Sequence, residues 1–181
     1  MNETIRSIAK ADVIAVTGHR PKSMGWSYDL SDPCWQEVKR QCKEILIAAD
    51  CKDAWTGMAL GVDTIFARAV LELKNEGHDI RLHCAVPFRG QESRWRTESI
   101  REYHAILEAA DETVVVSPGG FAGWKMTKRD RFMAGKADLI VAVWNGEGFT
   151  GTGRCVEHAR NNGKRIIAID PRRIRQELKA S

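Results

Sequence analysis

The fold is decided by the segment TGMALGVDT at residues 56–64, in which a β-rich run ends, the chain turns and a helical pattern begins. A glycine directly after a strand lets the backbone turn tightly, because it has no side chain to clash. The helix that follows begins with free N–H groups and the positive end of its dipole, both beside the strand end. This order of strand, glycine turn and helix indicates an α/β protein with parallel strands.

The same alternation of β-rich and helical segments extends along the chain on both sides of this segment. Several of the β-rich runs are almost entirely apolar, which is typical of parallel strands covered on both faces. Alternating elements joined by short connections predict a doubly wound α/β fold of three layers, with a mainly parallel sheet of about six strands. The predicted strands are Val13–Thr17, Ala54–Thr56, Ile80–Val86, Thr113–Ser117, Leu139–Trp144 and Arg165–Ile169.

Apolar residues recur at helical spacing in three of the segments between these strands. We expect them to pack in the core rather than to contact a ligand. The three stripes are Trp35, Val38, Cys42, Ile45, Leu46 and Ala49; Val62, Ile65, Phe66, Ala69 and Leu73; and Ile100, Tyr103, Leu107 and Ala110. A basic run near the end of the chain predicts a short surface helix that carries Arg172, Arg173, Arg175 and Lys179.

The composition is that of a soluble globular protein, with 43% hydrophobic and 29% charged residues. The length of 181 residues predicts one domain over residues 1–181, with its core in residues 13–171. The longest strongly apolar run, in Asp138–Trp144, is far shorter than the ~20 residues of a membrane helix. The polar segment Met1–Lys10 has no apolar signal-peptide core. We therefore expect a cytoplasmic protein that contacts no membrane.

The charged and metal-ligating residues exclude further classes. The formal net charge of +4 is a mild excess, which suits a phosphate-bearing small ligand but does not predict a nucleic-acid partner. The cysteines form no C-x-x-C pair and are expected to be reduced thiols, most of them buried. They do not combine with the histidines at zinc spacing, so the sequence predicts no metal site and no cofactor. The cysteines are Cys34, Cys42, Cys51, Cys84 and Cys155.

Two of the predicted strand ends combine glycines with polar residues. The first predicted strand ends in Thr17, Gly18, His19 and Arg20, where the arginine could pair with a phosphate; a single glycine falls short of the dinucleotide-binding fingerprint. After the second strand, Gly57 and Gly61 lead into a helix with Asp63 in its first turn. That carboxylate could bind a ribose hydroxyl, or could only stabilise the start of its own helix.

A third strand end is the strongest candidate for a phosphate cradle. Four glycines and two threonines follow the fifth predicted strand and precede another helix, so backbone amides could approach an oxyanion closely. No Gly-Lys-Ser/Thr follows, which argues against a Walker A loop. Helix starts at adjacent strand ends would suit a nucleotide-like ligand, with Trp144 and Trp95 either stacking on a base or closing the core. The predicted ligand residues of this loop are Trp144, Asn145, Gly146, Gly151, Thr152 and Gly153.

These motifs resemble those of the SLOG superfamily, a Rossmann-like group. Residues 56–63 are similar to the S-G-x-A-x-G-I-D signature of its DNA-processing branch, and residues 16–20 to the V-G-S-R turn of that branch. Residues 126–152 follow the order M-x-x-R … M … D … G-T of the Lonely Guy phosphoribohydrolases. The YpsA-like branch resembles the chain most, through TGHRP at 17–21, AVWxG at 142–146 and a P-F-x-x-Q motif followed by a tryptophan at 87–95.

The resemblance covers residues 13–171 and implies a Rossmann-like domain that binds a nucleotide or nucleotide-derived ligand, with a homodimer as a possible assembly. If the chain is an enzyme, the resemblance makes Arg129 a catalytic residue, and Asp63 or Glu147 could supply a carboxylate. The chain departs from the hydrolases at two positions, because Asp130 replaces the lysine after the arginine and Cys155 replaces the glutamate after the glycine loop. Glu157 does not occupy the position of that glutamate. It is two residues further on, about 200° around a helix, and is therefore expected to point elsewhere.

Three functions remain open at this point. The preferred hypothesis is a protein that binds a nucleotide derivative, as a sensor or by sequestering it. The alternative is an enzyme that hydrolyses the N-glycosidic bond of a nucleotide, which generally requires a carboxylate. Single-stranded DNA binding is the third, and it is disfavoured because the charges are too evenly mixed to predict a basic channel with stacking aromatics.

Overall fold

The structure, a computed structural model, describes residues 8–180, so the predictions for residues 1–7 and for Ser181 lie outside it. Strands and helices alternate along this part of the chain. The strands are β1 (Val13–Gly18), β2 (Asp53–Thr56), β3 (Arg81–Val86), β4 (Glu112–Val115), β5 (Leu139–Val143) and β6 (Arg165–Ile169). The helices are α1 (Pro21–Met24), α2 (Pro33–Ala48), α3 (Val62–Asn75), α4 (Thr97–Ala109), α5 (Gly123–Lys136), α6 (Gly151–Asn161) and α7 (Pro171–Ala180).

The six strands form one sheet in the order β4-β3-β2-β1-β5-β6, and every neighbouring pair is parallel. The predicted doubly wound, Rossmann-like α/β fold is therefore confirmed. The chain moves outward from β1 in one direction as far as β4, and then returns to place β5 on the other side of β1. At such a reversal the loops after the two strands diverge, which leaves a crevice outside their carboxyl ends.

Helices cover the two faces of the sheet unequally. On β1, Ile14 and Val16 point into a large core shared with α2, α3, α4 and α7, whereas Ala15 points into a smaller core under α5 and α6. The larger core contains Trp35 and Phe66, both fully buried. The smaller core consists mainly of alanines, so α5 can lie close to the sheet. This close approach brings α5 residues to the crevice.

Sequence and structure differ mainly at element boundaries and in one helix. The observed strands begin or end one or two residues from the predicted bounds, except β6, which matches them. The first two apolar stripes are buried throughout. In α4, however, Tyr103 and Ile106 are buried, while Ile100 and Leu107 are only partly so. This helix packs against α3 and precedes β4, the edge strand of the sheet, which is itself largely exposed.

The predicted thiols and the membrane prediction can be compared with the structure directly. All five cysteines are free, and four of them are buried. Burial raises the pKa of Cys42, Cys51, Cys84 and Cys155 to about 12, so these thiols stay protonated near neutral pH. Among residues 8–180, no helix is both long and apolar enough to cross a membrane.

The start of α3 lies directly against the end of β1, because β1 ends in a glycine. A Cβ atom at Gly18 would lie 2.5 Å from Val62 Cγ2 and 2.6 Å from Val62 Cγ1. Val62 is the first residue of α3 and is buried. Gly18 therefore has a packing role besides its predicted role in the turn. Its contact with Val62 sets the distance between β1 and α3, which border the crevice.

We predict that Gly18→Ala lowers the free energy of unfolding by about 1–3 kcal/mol, because the added methyl group overpacks the contact with Val62. The double variant Gly18→Ala/Val62→Ala should lose less stability than the sum of the two single variants. Urea unfolding of the four proteins measures this coupling. Strictly additive losses would show that the two side chains do not compete for space.

Candidate functional site

A cleft of about 240 Å³ lies at the carboxyl edge of the sheet, at the reversal between β1 and β5. Its walls come from the end of β1, the β2–α3 turn, one face of α5 and the start of α6. The lining residues are Val16, Thr17, Gly18, His19, Arg20, Ser23, Ala59, Leu60, Asp63, Met126, Arg129, Asp130, Met133, Thr150, Gly151 and Thr152. The cleft therefore lies where a doubly wound sheet binds its ligand.

Arg129 is buried at the floor of the cleft, with only 6% of its surface exposed. Its Nη1 donates a hydrogen bond to the carbonyl oxygen of Gly57 and lies 3.4 Å from Asp63 Oδ2. Its Nε donates to Asp130 Oδ1 at 2.8 Å. Burial opposes the charge of the guanidinium, but Asp130 and Asp63 outweigh this effect and raise the pKa of Arg129, which stays charged.

Gly57 is required for this arrangement. A Cβ atom there would lie 1.5 Å from Arg129 Nη1, so any side chain would displace the guanidinium. The next residue, Met58, has a φ of 56°, which is uncommon for a residue other than glycine. Gln91 Nε2 donates to the carbonyl oxygen of Met58 at 3.0 Å and so supports this turn from outside.

Asp63 faces Arg129 from the first turn of α3. Its Oδ2 accepts a hydrogen bond from the backbone N–H of Ala59 at 3.0 Å, and the residue is 6% exposed. Burial raises the pKa of the Asp63 carboxyl, and Arg129 offsets only part of this effect because it bonds more closely to Asp130. The carboxylate thus stabilises its own turn while also lining the cleft, so both roles considered for it remain compatible with the geometry.

The start of α6 supplies two free backbone donors to the cleft. The N-cap residue Thr150 accepts a hydrogen bond from the N–H of Gly153 through its Oγ1, at 3.0 Å. The N–H groups of Gly151 and Thr152 have no hydrogen-bond partner within residues 8–180, and both residues line the cleft. Two amides at a helix N-terminus favour an anion.

The end of β1 forms the opposite wall. His19 is 5% exposed, and its Nε2 is 2.8 Å from Asn145 Oδ1 in the loop after β5. This hydrogen bond joins the two strands at which the chain order reverses. Arg20 is exposed at the rim and forms no ion pair within the described part of the chain, so its guanidinium is available to an anion.

The structure brings together eight of the predicted site residues and leaves others outside the cleft. Those that line it are Thr17, Gly18, His19, Arg20, Asp63, Arg129, Gly151 and Thr152. Gly57 lies behind Arg129, and Gly61 packs against Pro21 and Trp35. The remaining four, Trp144, Asn145, Gly146 and Gly153, do not line it.

Two expectations about the surroundings of the cleft need correction. The helix starts of α3 and α6 follow β2 and β5, which are not adjacent strands, because β1 lies between them. Trp144 lies beside α6 instead of in the cleft: its Nε1 donates to the carbonyl oxygen of Glu147 at 2.9 Å, and Arg160 lies over its ring. Trp95 packs edge-on against Tyr103 and closes the core.

Of the cleft wall formed by the inner face of α5, the sequence predicted only Arg129 as a site residue. Met126, Arg129, Asp130 and Met133 all line the cleft. Their spacing of i, i+3, i+4 and i+7 is that of one helix face, and this pattern was the signal that could have found them. Val16, Ser23, Ala59, Leu60 and Thr150 also line the cleft and were not predicted; Ala59, Leu60 and Thr150 lie within motifs from which only other residues were chosen.

The carboxylates of the cleft differ from those of the Lonely Guy hydrolases. Cys155, at the position of the hydrolase glutamate, is a buried thiol whose pKa burial raises to about 12. Glu147 and Glu157 are exposed and do not line the cleft. Among the described residues, the carboxylates that line the cleft are Asp63 and Asp130, one on either side of Arg129. Within residues 8–180, no group of three or more potential ligands could hold a metal ion.

Comparison with known proteins gives one family. Residues 14–172 match the family model YpsA, which is described as the YspA SLOG family. The chain is 33% identical over 129 residues to the uncharacterised SPbeta prophage-derived protein YoqJ of Bacillus subtilis, covering 64% of this chain and 75% of that protein. It is 34% identical over 136 residues to a UPF0398 protein of Brevibacillus brevis, covering 73% and 72%.

A similar fold is found among solved structures, in DNA processing protein A from Streptococcus pneumoniae, with a TM-score of 0.56 and 16% sequence identity. The match covers 93% of this chain and 53% of that one, so the chain spans about half the length of that protein. At this identity the likeness concerns the fold alone.

We predict that Gly57→Ala destabilises the protein by about 2–4 kcal/mol, because it separates the buried guanidinium of Arg129 from its partners. In an Arg129→Met background the same substitution should cost much less, since the flexible thioether can yield. Thermal unfolding of the single and double variants gives the coupling. Gly135→Ala is the matched control on α5: a Cβ there meets nothing within 4 Å, so this variant should be neutral or slightly stabilised. An equal loss from Gly57→Ala in both backgrounds would contradict the argument.

Proposed function

The chain belongs to the YspA SLOG family, and from this premise we propose that it binds a nucleotide or nucleotide-derived ligand in the cleft between β1 and β5. The observation that carries the proposal is the pairing of free backbone donors with a buried, charged floor. The N–H groups of Gly151 and Thr152 face the same space as Arg129 and Asp63. Such a space suits a phosphate at one side and a hydroxyl-bearing group at the other.

Each group has a distinct part in the proposed binding. The backbone N–H groups of Gly151 and Thr152 donate hydrogen bonds to the phosphate, and the exposed guanidinium of Arg20 pairs with it from the rim. Asp63 contacts a ribose hydroxyl with the carboxylate oxygen that Ala59 does not use. Arg129 does not reach the ligand in this proposal; it neutralises and positions Asp63. The volume of about 240 Å³ is below the ~300–1,000 Å³ of typical ligand sites, which favours a mononucleotide-sized group.

The proposed role is that of a sensor or a sequestering protein. The support for this choice is chemical: the thiol of Cys155 stands where the related hydrolases have a glutamate, and the two carboxylates of the cleft are tied to Arg129. A group held in an ion pair is better suited to binding than to accepting and returning protons.

A hydrolase is the second candidate, and one observation favours it. Burial raises the pKa of Asp63, and a carboxyl with a raised pKa can donate a proton to a leaving group. In that case Asp63 would be the acid of N-glycosidic cleavage, with Arg129 holding it in place.

We predict that calorimetry detects binding of AMP to the purified protein. Arg20→Ala should weaken this binding about tenfold, because a charge-assisted hydrogen bond to phosphate is lost, and Thr152→Glu should abolish it by placing a carboxylate at the helix start. Arg101→Ala removes an exposed arginine on α4, away from the cleft, and should change nothing. If AMP, ADP-ribose, NAD and cyclic nucleotides all fail to bind, the proposal is wrong.

The hydrolase candidate is tested by chromatography of free base released from nucleoside monophosphates. An enzyme should release base, and both Asp63→Ala and Arg129→Ala should stop the release. The rate should fall as the pH rises through the raised pKa of Asp63, since only the protonated carboxyl can donate. Binding of AMP without release of adenine would leave the sensor or sequestering role as the function.

A further inference from the structure

A second cavity, of about 330 Å³, lies next to the cleft and is lined by the C-terminal helix α7. Besides Pro171 at its start, α7 contributes four polar residues, Arg172, Arg175, Gln176 and Lys179. Their spacing of i, i+3, i+4 and i+7 places all four on one face of the helix. The basic run of the sequence is thus divided between two sides of α7, because Arg173 lines a different cavity, on the other side.

The charge of this second cavity is positive. No carboxylate is among its lining residues. Arg172 is neutralised by Asp170, with Nη2 2.7 Å from Oδ2. Arg175 donates only to a neutral acceptor, the carbonyl oxygen of Gly25, at 3.2 Å. Lys179 forms no ion pair or hydrogen bond within residues 8–180. Two cations therefore face the cavity without an anion.

The wall opposite α7, and α7 itself, are both anchored in the hydrophobic core. Trp26 is 8% exposed and packs edge-on against the buried Trp35, with ring centroids 4.8 Å apart. Ile174 anchors α7 in the same core, with 1% of its surface exposed. The second cavity thus lies between two elements that are anchored in the core, and the backbone positions of Arg175 and Lys179 beside it are set by α7.

The second cavity adjoins the nucleotide cleft directly. Ser23 lines both spaces. Asn145 lines the second cavity, and its Oδ1 is hydrogen-bonded to His19, which lines the cleft. The two spaces are therefore neighbours, with Ser23 and the His19–Asn145 hydrogen bond at their boundary.

We propose that the second cavity binds a second phosphoryl group of the ligand, so that the ligand class is a nucleotide with two separated phosphates, such as a dinucleotide. The first phosphate lies at the start of α6, and the second lies between Arg175 and Lys179. This inference rests on the proposed function for the first phosphate, and adds the class of the ligand. Arg175 and Lys179 have no anionic partner, so a second phosphate can pair with both of them. A mononucleotide bound in the cleft would not reach them, and they would stay solvated.

The test compares AMP with the 5′-phosphorylated dinucleotide pApA by calorimetry. The unmodified protein should bind pApA at least about tenfold more tightly than AMP, and added salt should reduce this difference. Lys179→Glu should weaken pApA binding about tenfold more than AMP binding, and Arg175→Gln should act in the same direction. Arg173→Glu is the matched control, with the same charge change on the other side of α7, and should preserve the ratio of the two affinities.

Each outcome decides the matter. If AMP and pApA bind equally, or if Lys179→Glu and Arg175→Gln change both affinities by the same factor, the second cavity is not a phosphate subsite, while the proposed function stands. An effect of Arg173→Glu equal to that of Lys179→Glu would reduce the inference to general charge attraction and overturn it. If pApA binds and AMP does not, the subsite stands and the cleft does not suffice for binding. Binding of neither compound would contradict both proposals.

Discussion

The charge of Arg129 is buried under the cleft, and burying a charge is costly unless partners surround it. The partners come from separate parts of the chain: the carbonyl oxygen of Gly57 after β2, the carboxylate of Asp63 in α3 and that of Asp130 in α5 itself. To satisfy one guanidinium, the fold must hold the β2–α3 turn and α5 at one separation across the sheet edge. The absence of a side chain at residue 57, the small alanine core under α5 and the hydrogen bond from Gln91 to the turn all serve this separation.

The same edge is shaped by the order of the strands. Because β1 lies between β2 and β5, the loop after β1 has a helix start on either side. Asp63 places a carboxylate in the first turn of α3, bonded to the N–H of Ala59, whereas the start of α6 presents the N–H groups of Gly151 and Thr152 to the cleft and has no carboxylate there. The two helix starts are thus chemically unequal, although both follow a glycine-rich turn. One provides an acceptor for hydroxyl groups, and the other provides donors for an anion.

The P-F-x-x-Q motif correctly indicated the family, but only the structure shows what its residues do. Gln91 lies outside the cleft and holds the turn at Met58, while Phe88 is buried and packs against Phe121. The tryptophan that follows the motif closes the core beside Tyr103. These residues mark the family without contacting the proposed ligand. Asp130 is the opposite case. In the sequence it stands out only because it replaces the lysine of the hydrolase motif, but in the structure it lines the cleft beside Arg129.

By itself, the sequence determined the α/β class, the six strands to within two residues, the family, and eight residues of the cleft. These follow from local patterns: apolar runs, helical spacing, and glycines at strand ends, which depend on neighbours in the chain. Only the tertiary structure decided which strand ends meet, that Asp63 and Asp130 share Arg129, that Trp144 lies beside α6, and that the basic helix α7 forms a cavity next to the cleft. These features depend on contacts between residues as far as 150 positions apart, and such contacts are set by packing across the sheet, which no local pattern records.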